Sequence, residues 1–346
     1  MARPAVISLP GVRQQPTSLV APLGTDWGGI DGLMRRQFEP VVAAPNPAAA
    51  LPRERTWLRP TIAFSLLLPA AVFAASLGLR DLSTTDDTPA AAAKAASAAT
   101  ANAPAPASLA IQAETAKLQG LLNQFVAGSA DSEQYGLVVM DLTNGAVASS
   151  AADTVMDSAS LYKLFVAQRI LAGVDAGTYS LSQSADDDLG HNISQCLNLM
   201  ITVSDNNCGG ALGNIIGWQN QNAALHSLGF AHTDLQTLQQ TSASDVALWF
   251  EKLYRGQLLS PASTNLLLGL LKAQQVNNRL PAGLPAGTVI AHKTGDLYDA
   301  VHDAGIVYSG KTPYLVVIMS DHWRSVGNAP ARFAQLSSQL YQQFNQ

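Results

Sequence analysis

The stretch TVIAHKTGDLYDAVHDAGIVYSGKTPYLVVIMS, residues 288–320, decides the fold. Within it three runs, 288–292, 303–308 and 313–320, are rich in β-branched residues and separated by Gly-, Asp- and Pro-bearing turns, the pattern of successive strands. Upstream, YGLVVMD (135–141) meets a second apolar run at 145–149 across Thr143-Asn144-Gly145, and an Asn-Gly pair between apolar runs predicts a hairpin. Between these two groups, residues 160–275 read as mostly helical sequence punctuated by glycine. Ile111, Thr115, Leu118, Leu122 and Phe125 recur at three- and four-residue spacing and predict an opening helix that ends near Gly128, while a closing helix covers 329–344. Two strands, a helical insertion and three more strands predict an α+β fold: a five-stranded antiparallel sheet flanked by helices, with an all-helical lobe beside it. A cleft is expected where lobe meets sheet.

The chain has 346 residues, 47% hydrophobic and 13% charged, too apolar for a disordered protein and without the repeat of a collagen or a coiled coil. Its net charge of −5 supplies no basic field to gather phosphate backbones, so nucleic acid is not expected as a partner. Two cysteines, Cys196 and Cys208, cannot build a four-thiolate metal site, and six histidines are scattered along the chain; neither a metal nor a cofactor is expected.

Residues 61–79 (TIAFSLLLPAAVFAASLGL) run nineteen positions without a charge. At helical rise that is about 28 Å, the thickness of a bilayer's hydrocarbon core, and it predicts one transmembrane helix. Arg53, Arg55 and Arg59 precede it, whereas Arg80 and Asp81 follow, which places residues 1–60 in the cytoplasm and the rest outside. A cleaved signal peptide is the alternative, since small residues surround Ala74 and Ala75, but a sixty-residue polar lead is far too long for one. The Pro- and Ala-rich leader 1–60 has no periodic apolar pattern and reads as disordered, and the low-complexity segment 80–108 reads as a linker. The working domain is 109–346, tethered on the extracytoplasmic (periplasmic) face of a bacterial inner membrane.

Three short motifs in that domain carry chemistry. Ser160-Leu161-Tyr162-Lys163 opens a helix whose next residues are apolar, and a three-residue spacing sets the Lys163 amine beside the Ser160 hydroxyl. Burial near a second cation would lower the amine's pKa until it accepts the serine proton, which makes serine a nucleophile without histidine. Free N–H groups at the helix start can stabilise an oxyanion. Ser204-Asp205-Asn206 follows the helical run CLNLMITV, and Lys293-Thr294-Gly295 ends the strand TVIAHKTG. Taken singly each motif has a bland reading, as a capping serine, a turn and a strand end. Finding all three in this order by accident has odds below about one in a hundred.

Serine followed three residues on by lysine, then S-D-N, then K-T-G, resembles the class A β-lactamases and the wider penicillin-recognising serine enzymes. The resemblance spans nearly all of 109–346 and none of 1–108, and it implies a β-lactamase/transpeptidase-like fold. It implies Ser160 as the acylated nucleophile, Lys163 as its proton acceptor and Ser204 as a relay towards the leaving nitrogen. It further implies that Asn206 binds the substrate's amide side chain and that Lys293 and Thr294 hold its carboxylate. The oxyanion hole would use the backbone N–H groups of Ser160 and Asp296.

The sequence also departs from the family. The E-x-x-L-N loop, whose glutamate activates the deacylating water, is missing: residues 228–245 (LGFAHTDLQTLQQTSASD) contain no glutamate. Asp234 is the nearby carboxylate, better read as a turn residue, and Glu251 already lies in the following helix. An arginine that many relatives place within 301–307 is absent; His302 and Asp303 stand there, read as a rim histidine held by a loop or as a proton carrier. The sequence is most similar to the serine-hydrolase relatives that lack the E-x-x-L-N loop. Cys196 and Cys208 flank S-D-N, and an oxidising compartment would bridge them, the alternative being two buried thiols.

These readings predict acylation with slow deacylation. The leading function is β-lactam hydrolysis through an acyl-enzyme, the chemistry of antibiotic resistance, with a D-alanyl-D-alanine carboxypeptidase or cell-wall amidase or esterase and a non-turnover sensor as alternatives. The expected partners are a β-lactam or a peptidoglycan stem peptide, and the membrane.

Overall fold

The computed structural model describes residues 106–130 and 132–346. The leader 1–60, the span 61–79 and the linker up to residue 105 lie outside the described residues. Among the described residues no helix is long and apolar enough to cross a membrane.

The chain enters through α1 (Pro106–Ala127). It starts three residues before the domain boundary read from sequence, because proline at the first helical position loses only an N–H that has no partner there. Strands β1 (Gln134–Asp141) and β2 (Val147–Ser150) form the expected hairpin, with Gly145 at φ +83°, a conformation open to glycine. After a short strand β3 (Val155–Asp157) come α2 (Tyr162–Asp175), α3 (Ile193–Thr202), α4 (Asn206–Ile216) and α5 (Gln221–Ser227). A short β4 (Gln240–Ser242) pairs antiparallel with β3 and interrupts what reads as continuous helical sequence; three residues are too few for period-two patterning to show. Helices α6 (Ala243–Tyr254) and α7 (Pro261–Lys272) lead to β5 (Val289–Leu297), β6 (Ala300–Tyr308) and β7 (Pro313–Asp321), and α8 (Ala329–Phe344) closes the chain.

The main sheet has five strands in the order β2-β1-β7-β6-β5, and every pair is antiparallel. It is buried on both faces, which is why β7 reads as an unbroken apolar run. Tyr314, Val316 and Ile318 of β7 join Leu118 and Leu122 of α1 and Phe333 and Leu336 of α8 in one core. Leu315, Val317 and Met319 point the other way, into a second core with Phe165, Trp249 and Phe250 of the helical lobe. The two cores share one sheet, and α2 runs through the second.

Strands β5 and β6 are longer than the apolar pattern indicates. They pair from Val289↔Tyr308 to Leu297↔Ala300, so Lys293-Thr294-Gly295 lies inside a strand and not at its end. Backbone pairing with β6 continues through these polar residues although their side chains break the apolar run. Cys196 and Cys208 form a disulfide, Cα–Cα 4.8 Å, that joins α3 to the first turn of α4.

Phe165 is fully buried and meets Phe230 edge-on at 5.4 Å. Phe165→Ala should cost about 3–5 kcal/mol in denaturant unfolding. Leu109→Ala, at a position half exposed, should change stability by no more than about 0.5 kcal/mol.

Candidate active site

The nucleophile candidate sits just before a buried helix. Ala159 has φ +43°, and Ser160 follows it in a single 3-10 turn, Ala159–Leu161, that feeds directly into α2. The approach is clamped from below: Ser158 donates its backbone N–H to the Gln239 carbonyl at 2.8 Å, and Asp157 Oδ1 accepts from Ala159 N at 2.8 Å. Such a left-handed residue costs of order 1–3 kcal/mol and persists because its neighbours over-determine it. Ser160 stays partly exposed while Lys163, one turn on, is fully buried.

Lys163 Nζ lies 3.1 Å from Ser160 Oγ, 2.6 Å from the Ser204 carbonyl, 3.3 Å from Ser204 Oγ and 2.7 Å from Asn206 Oδ1. Burial pulls its pKa down to about 7, with the nearby Asp205 carboxylate opposing the shift. An amine with that pKa, next to a hydroxyl, can accept its proton near neutrality.

Ser204 also adopts a left-handed backbone, φ +63°, between α3 and α4, and this turns both its carbonyl and its hydroxyl towards Lys163. Asp205 caps α4 by accepting from Cys208 N at 2.8 Å. Gly209 leaves the needed room: a Cβ there would meet the Tyr162 hydroxyl at 2.6 Å and Lys163 Cε at 3.0 Å. From the opposite wall Lys293 Nζ donates to Ser204 Oγ at 2.9 Å and to the Thr294 carbonyl at 2.8 Å. Its pKa is pushed well down, first by complete burial and then by repulsion from Lys163. Ser160, Lys163, Ser204 and Lys293 thus form one hydrogen-bonded chain across the junction of sheet and lobe.

Strand β5 is an edge strand, and its backbone runs against the nucleophile: a Cβ on Gly295 would lie 3.3 Å from Ser160 N. That approach brings β5 next to the Ser160 amide. Thr294 is buried beside Lys293, and the Asp296 side chain is exposed.

Two expectations need correction. His302 is not on a rim: it is fully buried, its Nε2 bonds the Asp157 carbonyl at 2.9 Å and its Nδ1 accepts from Ser320 N at 3.1 Å. Burial lowers its pKa, and with both nitrogens engaged it braces β3 and β7 and carries no proton to the cleft. Asp303 is equally buried, bonding His292 Nδ1 at 2.9 Å and the Leu280 N–H at 3.1 Å. Adjacent on β6, the two side chains point to opposite faces, and both are buried because the sheet is covered on both sides; the strand begins at Ala300, before the run read from sequence.

Sequence reasoning also missed a cation. Arg279, nearly buried before β5, donates to the carbonyls of Gly295 at 3.1 Å and His302 at 2.5 Å and pairs with the Asp296 carboxylate. No spacing rule marks it, since it reaches the site from a connecting segment. The Asp234 carboxylate, by contrast, takes Asn222 Nδ2 at 2.9 Å and the N–H groups of Gln236 and Thr237 at 2.7 and 2.9 Å. Burial pulls its pKa up, but these hydrogen bonds outweigh it and hold the group below the usual range, as fits a turn residue. Glu251 is engaged with Arg255 at 2.9 Å along α6.

Comparison with known proteins agrees with this geometry. The model of the "Beta-lactamase enzyme family" matches residues 115–344. No curated protein sequence matches the chain. Among solved structures, PBP-A is 27% identical with TM-score 0.61, covering 66% of this chain and 97% of its own. A single-residue variant of PBP-A, described as an acyl-enzyme complex with penicillin G, is 26% identical with TM-score 0.60, covering 68% and 97%. An ancestral class A β-lactamase (GNCA), 23% identical with TM-score 0.60 over 66% and 100%, shares the fold. The chain belongs to the β-lactamase enzyme family and is a serine β-lactamase-like hydrolase.

Proposed function

We propose that the chain opens β-lactams by acylating Ser160 and releases the product slowly, from a domain held at the outer face of a membrane by residues 61–79. The observation that carries the acylation half is the hydrogen-bonded chain from Ser160 Oγ through Lys163 Nζ and Ser204 Oγ to Lys293 Nζ. Ser160 Oγ attacks the lactam carbonyl while Lys163 takes its proton. The oxyanion is held by the Ser160 and Asp296 amides. The C–N bond then breaks, and Ser204 hands its proton to the leaving nitrogen and is resupplied from Lys163. Arg279, with the hydrogen-bond donors of Lys293 and Thr294, would hold a substrate carboxylate, and Asn206 would bind the substrate's amide side chain.

Slow release follows from what serves the water. Residues 228–245 contain no glutamate, and Asp234 is committed to its own turn. The PBP-A variant described as a penicillin acyl-enzyme supports a β-lactam as ligand of this site. The same lack of a water-activating carboxylate also favours a second reading, a D-alanyl-D-alanine carboxypeptidase or related cell-wall amidase; release of D-alanine from a stem peptide without β-lactam turnover would select it.

Mass spectrometry over time after mixing the chain with benzylpenicillin should show a covalent gain on Ser160 that outlasts its formation by orders of magnitude, and none in Ser160→Ala. Equal gain in both would sink the nucleophile assignment, and prompt decay with accumulating penicilloate would sink slow release. Because Lys163 must be neutral to accept a proton and titrates near pH 7, the acylation rate should rise with pH through about 7 and fall tenfold per unit below it. Lys163→Arg keeps its proton and should lose at least ~100-fold in acylation rate, read from fluorescent-penicillin labelling.

A further inference from the structure

The histidines are scattered in sequence, yet the fold gathers one of them with other ligand-type residues away from the catalytic chain. Asp187, His191, Cys196 and Cys208 place a carboxylate oxygen, an imidazole nitrogen and two sulfurs within 4.8 Å of one another. Asp187 and His191 come from the connection between α2 and α3, Cys196 from α3 and Cys208 from α4. The Asp187 side chain is fully buried and that of His191 is 28% exposed, so the cluster has a closed interior and one edge open to solvent.

The carboxylate faces the sulfurs. Asp187 Oδ2 lies 3.7 Å from Cys196 Sγ and 3.8 Å from Cys208 Sγ, and it also bonds His191 Nδ1. In the oxidised form neither sulfur carries a proton, so the disulfide offers this buried oxygen nothing in return. A tetrahedral cation bound at about 2.0–2.3 Å would separate its ligand atoms by about 3.3–3.8 Å; the carboxylate oxygen already stands at that spacing from each sulfur, and cleaving the disulfide lets the two sulfurs part to it.

We propose that the dithiol form of this cluster is a binding site for a borderline-soft divalent cation of the zinc class, with Cys196, Cys208, His191 and Asp187 as ligands. A dithiol or phosphine reductant supplies the two electrons that cleave the Cys196–Cys208 bond and is itself oxidised. The cation then displaces the two thiol protons to solvent, entering past the exposed edge of His191. Two thiolates, a carboxylate and a neutral imidazole are a donor set that selects zinc or cadmium over magnesium or calcium. The disulfide and the cation are alternative ties for the same two helices, α3 and α4, whose connection carries Ser204 and Asn206.

The test uses the purified full-length chain, oxidised or reduced with a phosphine under argon, dialysed against zinc or cadmium and assayed by native mass spectrometry and thiolate-to-cadmium absorption. One equivalent should bind to the reduced chain and under about a tenth of that to the oxidised chain. His191→Ala and Asp187→Asn should each weaken binding at least about tenfold. If Asp187→Asn fails to fold, His191→Ala, at a partly exposed position, decides alone. A reduced chain with native near-UV dichroism that takes up no metal overturns the proposal, as does binding that His191→Ala leaves unchanged. If reduction loosens the native dichroism, added zinc should restore it, and failure to do so has the same force. None of these readouts depends on β-lactam chemistry.

Discussion

The structure turns on burying one amine. Lys163 sits in the helical lobe's core with no exposed surface, and its nitrogen is met by the Ser160 and Ser204 hydroxyls, the Ser204 carbonyl and Asn206. An unpaired charge at that depth would cost several kcal/mol, so the amine gives up its proton near neutrality instead. The burial that is costly to the fold also suits the amine to accept a proton. The surrounding architecture holds that burial: the first two turns of α2 are packed almost all round, Gly209 removes a Cβ from the path, and Ser204 accepts a left-handed backbone to aim two oxygens at one nitrogen.

A second buried amine stands across the cleft. Lys293 belongs to the sheet and Lys163 to the lobe, and Ser204 Oγ bridges them. Two cations this close cannot both be charged without penalty, and Lys293 is displaced from its usual pKa partly by Lys163. The Ser204 hydroxyl thus joins a group of the sheet to a group of the lobe. The apolar cores on either side of the sheet, Phe165 and Trp249 on one, Phe333 and Leu336 on the other, supply the rigidity that keeps these distances near 3 Å.

The proposed acylation and release steps draw on different parts of the molecule. The proposed nucleophile, base, relay and oxyanion donors come from the turn before α2, α2 itself, the α3–α4 connection and β5, with Lys163 and Lys293 fully buried and Ser160 and Ser204 partly exposed. The water-activating carboxylate of the family would come from residues 228–245, and here that segment is short, closed by the β3–β4 pair and organised around Asp234 as a turn. On the proposed reading the two halves of the cycle rest on separate segments, so a chain can keep the first without the second.

Much of this was legible before any coordinates. The Asn-Gly hairpin, the three-strand run 288–320 and the opening and closing helices followed from turn and periodicity signals, and S-x-x-K, S-D-N and K-T-G marked elements that meet at the candidate site. Local spacing was the limit of what could be read. Strand β4 is too short to leave a pattern, His302 looked like a rim residue because a buried polar group at the strand's start breaks the apolar run, and Arg279 and the Asp187–His191–cysteine cluster join residues from separate elements. The sequence by itself determined which elements form and which chemical groups they carry, since both are written in neighbours a few residues apart. Only the tertiary structure decided how deep each amine is buried, which arginine reaches the cleft and which carboxylate is spent on a turn, because those depend on groups brought together across the chain by packing.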